Sequence, residues 1–427
     1  MTQGKLPYLI MDADEHSQVR MSDIEAFIDP QFRDKAPKEV VRSDGTTDTW
    51  YAGRPARLRQ KGSQYQITMS DDRLRELGVK QGNEDLRIEG MGRPDGGGFI
   101  PGALLNRLNP LKDLDDDERR EYVAKYARMR EETGTPARRV EILDEQGIDS
   151  AVNYLNFGSE SNYEHDIPAL YATQHATNRW CAETWGFTYR DRLFTPPFIS
   201  LVDPEMALAE LDYILEHGAK VFQISTGPTV HRSPFRPELD PFWARVNEAD
   251  VRVCTHVAPV TFYGAQGSEW DEEESTVGDM NAFQWVMYYG DRPAYETVAA
   301  AILQGLFARF PNVKLLLSEQ GTVWVPYIVR KMDHAFLMGR RGTWGDLTMR
   351  PSEYFRQHCF VAPFPEENIR PVVQAVGYEP IVFGSDFPHG EGLPEPELYL
   401  AQLEGFSDAQ TKMIMRDNLA RFLGKAA

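Results

Sequence analysis

Eight short apolar runs, separated by longer stretches of helical periodicity, limit what this chain can fold into more than any other feature. They are YLIMDAD (8–14), SAVNYLN (150–156), LFTPPFISL (193–201), AKVFQIS (219–225), VRVCTHVA (251–258), VKLLLSE (313–319), CFVAPF (359–364) and PIVFGSD (380–386). Between them lie amphipathic segments such as PEMALAELDYILEHG and RPAYETVAAAILQGLFARF, the second stopped by PNVK before the next run. Strands that alternate with helices build parallel sheets with right-handed crossovers. Eight is also the number that closes a ring, so the expected fold is α/β, a (β/α)8 TIM barrel. The rival doubly wound sheet needs a glycine-rich phosphate loop after an early strand, and YLIMDADEHS offers none.

The rhythm fails between about residues 40 and 118, where RSDGTTDTWYAGRPARL and GMGRPDGGGFIPG carry no strand–helix alternation. Residues 1–40 and 119–427 are therefore assigned to the barrel. Residues 41–118 are read as a loop-rich insertion after the first strand, an arm or lid over the barrel mouth or an oligomer interface. GRPDGGGF lacks the preceding strand and following helix of a phosphate loop and is read as a mobile loop. No internal repeat is found.

Composition narrows the function classes. The 427 residues are 41% hydrophobic and 26% charged, an ordinary globular balance. A net charge of −19 argues against a nucleic-acid partner, which needs basic residues to neutralise phosphates. Three cysteines (Cys181, Cys254, Cys359) without CxxC spacing give neither a disulfide framework nor a zinc knuckle. The N-terminus has no signal-like pattern and no run approaches a membrane span. The expectation is a cytoplasmic enzyme with a small-molecule substrate and no membrane partner.

Polar residues cluster where strands end. The first strand runs into MDADEH, with Asp12, Asp14 and His16 at alternate positions, and side chains two apart on an extended chain face the same way. The fifth ends at His256, the sixth at Glu319 after three leucines, and the eighth at Asp386. A lone carboxylate at the end of a core strand is costly unless it is solvated, hydrogen-bonded or metal-bound. Two histidines and three carboxylates at one set of strand ends point to a metal site on the face where barrel active sites assemble. Neutral imidazoles with carboxylates suit Zn²⁺, Fe²⁺ or Mn²⁺. His389, three residues after Asp386, is read as a partner of a ligand, a substrate contact or a ligand to a second ion. His175, on a helix, is kept as a further candidate ligand, while His165, His217, His231, His334 and His358 are read as structural or surface residues.

Taken in order, MDADEH, RRVEILDEQGIDSAV, ATNRWCAETW, VCTHVAP, LLLSEQGTVWVPYIVRKMD, PSEYFRQHCFV, VFGSDFPHGEG and MRDNLARFLG resemble the amidohydrolase-related proteins of the amidohydrolase superfamily. The resemblance is to the branch containing aminocarboxymuconate-semialdehyde decarboxylase. It covers the first strand and nearly everything from about residue 138 onward. It implies a distorted TIM barrel holding a catalytic metal. Asp14 and His16 stand where the decarboxylases carry a His-x-His pair, His256 matches the fifth-strand metal histidine and Asp386 the eighth-strand aspartate. Glu319 stands where a sixth-strand histidine usually assists catalysis, and replacing that histidine with an anion changes both charge and proton-donor ability.

Three functions follow for comparison. The first is metal-assisted hydrolysis or decarboxylation of a small organic substrate, with Asp386 accepting a proton from water and Glu319 or His389 as its acid–base partner. The second is a dinuclear nonheme Fe or Fe/Mn monooxygenase in which Asp14, His16, His256, Glu319, Asp386, His389 and His175 share two ions. The third is a non-catalytic subunit that assembles with a homologous enzyme; a homo-oligomer is the other expected assembly. Tyr154 and Asn156 at the end of the second strand, and Arg232 or Arg236 after the fourth, are candidate substrate contacts. The aromatic-rich segment 261–291 is read as packing.

Overall fold

The structure, a computed structural model, describes residues 6–18, 21–41, 47–55, 100–102, 105–112, 114–132, 134–156, 160–230, 232–257, 270–272, 282–288, 291–339 and 347–426. Its strands are β1 (Ile10–Gln18), β2 (Lys38–Val41), β3 (Thr47–Tyr51), β4 (Arg54–Pro55), β5 (Ile148–Asn156), β6 (Thr188–Tyr189), β7 (Leu193–Phe194), β8 (Val221–Gln223), β9 (Arg252–His256), β10 (Leu315–Ser318) and β11 (Cys359–Val361). One sheet has the order β1-β5-β7-β6, parallel except for β6 on β7; a second, wholly parallel, has the order β11-β10-β9-β8. The architecture is α/β with parallel strands, as the alternation predicts.

Single parallel bridges join the two sheets. Phe198 meets Gln223 of β8, Val361 of β11 meets Ile381, and Glu15 of β1 meets Phe387. Main-chain bonds reinforce them, from Gln223 N–H to Pro197 O and from Ala13 N–H to Phe383 O. The third and eighth predicted strands are thus present as connections but form little ladder. Pro196 and Pro197 have no N–H to give, which confines the third strand's ladder to Leu193–Phe194. In and just after the eighth run, Ile381 and Phe387 are the bridged positions.

Side chains of the eight runs alternate between two cores. Met11, Ala13, Val152, Tyr154, Phe194, Val221, Cys254, Leu316, Phe360 and Val382 pack with one another. Ile10, Ala151, Leu193, Phe222, Val253, Leu315, Val361 and Ile381 pack into the larger cluster that includes the helices. This is the period-2 pattern of strands covered on both faces. The helices start where the sequence signals them: Asp203 accepts from Glu205 N–H (2.9 Å) and Met206 N–H (3.0 Å) ahead of Pro204–Glu216.

Sequence reasoning missed a small antiparallel sheet, β2-β3-β4, which straddles the start of the region read as loop. Its hairpin turns on Ala52 (φ 46°) and Gly53 (φ 76°), a two-residue loop with both residues at positive φ. Much of the predicted insertion, 56–99 included, lies outside the described residues, as does most of segment 261–291. Described parts of the insertion sit against the connection and helix that follow β5 and the loop that follows β11. Tyr51 packs on Tyr163 and Leu170, and the N–H groups of Asn106 and Leu108 bond to the Glu366 carboxylate at 2.9 and 2.8 Å.

Candidate metal centre

The ends of β1, β9, β10 and the 380–386 run converge on one point. His16 Nε2 lies 3.3 Å from Asp14 Oδ1, 3.1 Å from Asp386 Oδ1 and 3.3 Å from His256 Nε2. His256 Nε2 is 3.4 Å from Asp14 Oδ1 and 3.0 Å from Glu319 Oε2. His389 Nδ1 is 2.6 Å from Asp386 Oδ1. Among the described residues two overlapping groups could hold a cation, Asp14–His16–His256–Glu319 and His16–Glu319–Asp386–His389, with ligand atoms within 4.8 Å of one another.

Local backbone explains the convergence. Asp12 pairs with Ala151 and Glu15 with Asn153, so β1 carries one extra residue against β5, a bulge of the kind that re-aims side chains beside active sites. The bulge corrects the expected alternation. Asp14 and His16 face the cluster, but Asp12 turns to the main chain, accepting the N–H of Asp14 (2.9 Å) and of Ser385 (3.0 Å). Glu319 and Asp386 sit at φ 50° and 56°, a left-handed backbone that non-glycine residues adopt only where the surroundings hold them. The turn after Asp386 is compact. His389 N–H bonds to Asp386 O, Gly392 N–H to His389 O and Leu393 N–H to Ser385 O, at 2.9, 3.1 and 2.8 Å. Gly384 lets β1 approach, since a Cβ there would lie 2.9 Å from Asp14 Cβ.

The arrangement suits a cation. His256 Nδ1 faces the Val257 carbonyl at 2.9 Å, which can only accept, so Nδ1 carries a proton and Nε2 is the nitrogen that a cation would take. Burial alone would lower the His256 pKa, but its bonds to Asp14 and Glu319 raise it to about 10. Burial raises Asp14 too, and hydrogen bonds from His16 and His256 more than reverse this, holding its carboxyl well below the usual range. Asp386 is pushed well up by burial and then by the charges of Glu319 and Asp14. The clustered carboxylates thus draw a proton onto His256 where a metal ion would otherwise supply positive charge. Asp386 Oδ2 is buried with no hydrogen-bond partner among the described residues, an acceptor left for such an ion or its water. The donors are nitrogen and oxygen, and all three buried cysteines stand outside the groups.

Behind the cluster lies a wholly buried ion pair that sequence reasoning did not find. Arg139 Nη2 is 2.5 Å from Glu15 Oε2, both side chains 0% exposed, and its guanidinium lies 5.0 Å from the Phe387 ring centroid. Glu391 also belongs to the surroundings: burial and then the Glu319 charge raise its pKa to about 7. Its place in DFPHGEG was the available signal.

The other expected site residues are not members of these two groups. His175 bonds to Glu210 at 2.9 Å on the helix Ile167–Thr184 and is in neither group. Arg232 pairs with exposed Glu238 at 2.6 Å, and Arg236 donates to the carbonyls of Leu201, Val202 and Ser233. Tyr154 stands beside the cluster, against His256 and His16. It is 2% exposed, its ring centroid is 4.6 Å from that of His256, and its hydroxyl bonds to Ser318 Oγ at 2.9 Å. Asn156 ends β5, and its side chain lies outside the described residues. No helix among the described residues is long and apolar enough to cross a membrane.

Comparison with known proteins bears on the family and the fold. The family model described as "Amidohydrolase" matches residues 123–425. The structure is similar to that of an amidohydrolase from Mycobacterium avium subsp. paratuberculosis K-10, with 26% identity, 98% of this chain and 100% of that one covered, and a TM-score of 0.77. It shares its fold with a dihydroxybenzoic acid decarboxylase from Polaromonas sp. JS666 solved with manganese and 2-nitroresorcinol (19% identity, 73% and 90% covered, TM-score 0.54). It shares it also with a manganese-bound 5-carboxyvanillate decarboxylase from Novosphingobium aromaticivorans (16% identity, 99% of each chain covered, TM-score 0.58).

Proposed function

The chain belongs to the amidohydrolase family, and on that premise we propose that it is a metal-dependent enzyme that hydrolyses a small organic substrate on a distorted (β/α)8 barrel. The observation that carries this reading is the convergence of the His16 and His256 Nε2 atoms with the carboxylates of Asp14, Glu319 and Asp386. Asp14, His16, His256 and Asp386 would hold a divalent ion such as Zn²⁺, Mn²⁺ or Fe²⁺, with Glu319 beside it. Bound there, the ion supplies Lewis acidity, lowering the pKa of a water and polarising a substrate oxygen. Asp386 Oδ2 accepts the proton of the attacking water and returns it to the leaving amine or alcohol as the carbon–heteroatom bond breaks. His389 donates to Asp386 Oδ1 and fixes the orientation of that carboxylate. The described ends of segment 41–118 meet the connection and helix after β5 and the loop after β11, which favours a lid over the mouth.

Hydrolysis is preferred to decarboxylation on charge. A substrate carboxylate would enter against Glu319 and Asp386, whereas an amide, ester or lactone carries no charge to repel. The test incubates metal-loaded and chelator-stripped protein, under argon, with panels of amides, esters, lactones and aromatic acids. Metal-dependent hydrolysis supports the reading; CO2 release from an acid with no hydrolysis replaces it with decarboxylation.

A second reading, a dinuclear oxygen-activating centre, draws on the two overlapping ligand groups, in which Glu319 is a carboxylate able to bridge two ions. Against it, His16 Nε2 belongs to both groups and binds one ion only. Two equivalents of iron or manganese per chain with oxygen consumption would establish this reading instead.

A further inference from the structure

Asp12 is 0% exposed and lies beside the proposed metal ligands without facing them. Its Oδ1 accepts two main-chain N–H groups, that of Asp14 at 2.9 Å and that of Ser385 at 3.0 Å. The first belongs to a proposed ligand and the second to the residue before another. The β1 bulge makes this contact consequential. Between Asp12 and Glu15 the ladder to β5 loses register, Asp14 is not among the residues paired with β5, and its N–H bonds to the Asp12 carboxylate. A bulged residue is otherwise left unpaired and free to tilt. Asp386 N–H bonds in turn to Asp14 O at 2.8 Å, so the two ligand-bearing segments meet where Asp12 joins them.

We propose that Asp12 is a positioning residue, its carboxylate replacing the ladder bond lost at the bulge and fixing Asp14 against the Ser385–Asp386 turn in metal-binding geometry. The inference rests on the metal-centre reading above. Asp12→Asn keeps Oδ1 as the double acceptor and puts Nδ2 where Oδ2, buried, makes no hydrogen bond among the described residues. Asp12→Ala removes the acceptor. Asp12→Glu keeps the charge but displaces the oxygen by a methylene.

The experiment measures the dissociation constant for Mn²⁺ and Zn²⁺ by chelator competition on folded wild-type, D12N, D12A and D12E protein, with thermal melts of each metal-free form. Outer-shell partners of ligands are worth about 10- to 100-fold in metal affinity, and D12A and D12E are expected to lose that much while D12N stays near wild type. A purely structural role would lower the melting temperature and leave the affinity of folded protein unchanged, which would overturn the proposal. So would equal weakening of D12N and D12A. If D12A does not fold, D12E decides: wild-type affinity there refutes a positioning role. Wild-type protein that binds no metal would instead defeat the metal-centre reading, and this inference with it.

Discussion

Gly392→Ala tests whether the turn after Asp386 is built to hold that carboxylate in place. A Cβ at Gly392 would stand 2.2 Å from Asp386 O, 2.6 Å from Asp386 C and 2.8 Å from Ser385 O. Contacts below 3.0 Å are essentially never seen for a real Cβ, so the two segments must separate by about 0.8 Å, the difference between 3.0 and 2.2 Å. No flexible side chain can yield, because the opposing atoms are main chain. Both neighbours of the new methyl are tied to the same turn, Gly392 N–H to His389 O and Leu393 N–H to Ser385 O. Relief therefore displaces Asp386. Metal–ligand distances tolerate only about 0.2 Å, so Asp386 leaves the ligand set and affinity falls by about 10- to 100-fold or more. Overpacking costs a further ~1–3 kcal/mol of stability. Chelator competition and urea unfolding measure both, with Gly134→Ala as control, since a Cβ there meets nothing within 4 Å. Wild-type metal affinity and stability in Gly392→Ala would refute the reasoning.

Other perturbations address separate parts of the molecule. Arg139→Met strands the Glu15 carboxylate in a dry site and should cost ~3–5 kcal/mol in denaturant unfolding, and adding Glu15→Gln should recover much of that loss. His358 packs on Phe307 and bonds to Val313 O; burial lowers its pKa to about 4, the Val313 bond opposing and the Lys314 charge reinforcing this. The unfolded chain takes up this proton near pH 6.5 and the folded protein only near pH 4, so stability falls with acid through that window by up to about 3 kcal/mol. Unfolding midpoints from pH 7 to 4 should show the fall, and His358→Gln should lack it. His175→Ala should leave metal content unchanged, because its partner is Glu210.

Much of the fold was legible in the sequence because apolar runs and amphipathic helices are local signals. Where the ladders are thin the cause is also local: Pro196 and Pro197 interrupt the third run, which still reaches β8 through Phe198. The β2-β3-β4 sheet escaped because its signal is one Ala-Gly pair between short polar strands. At the site, residues at strand ends could be named from position alone, and Asp14, His16, His256, Glu319, Asp386 and His389 come together. Roles set by contacts distant in sequence could not be read. The bulge that turns Asp12 away depends on β5, 136 residues downstream of Asp12 at Ile148, and the Glu15–Arg139 pair spans 124 residues. The partners of His175 and Arg232, Glu210 and Glu238, were likewise not legible, because the type of a side chain does not reveal its partner.

The most direct test of the account is elemental analysis of metal per chain, for wild type and His256→Ala expressed with zinc, manganese and iron all supplied. The account predicts one equivalent of a divalent metal in the wild type and its loss in the folded variant. A wild type without metal, or a His256→Ala protein that keeps a full equivalent, would contradict it.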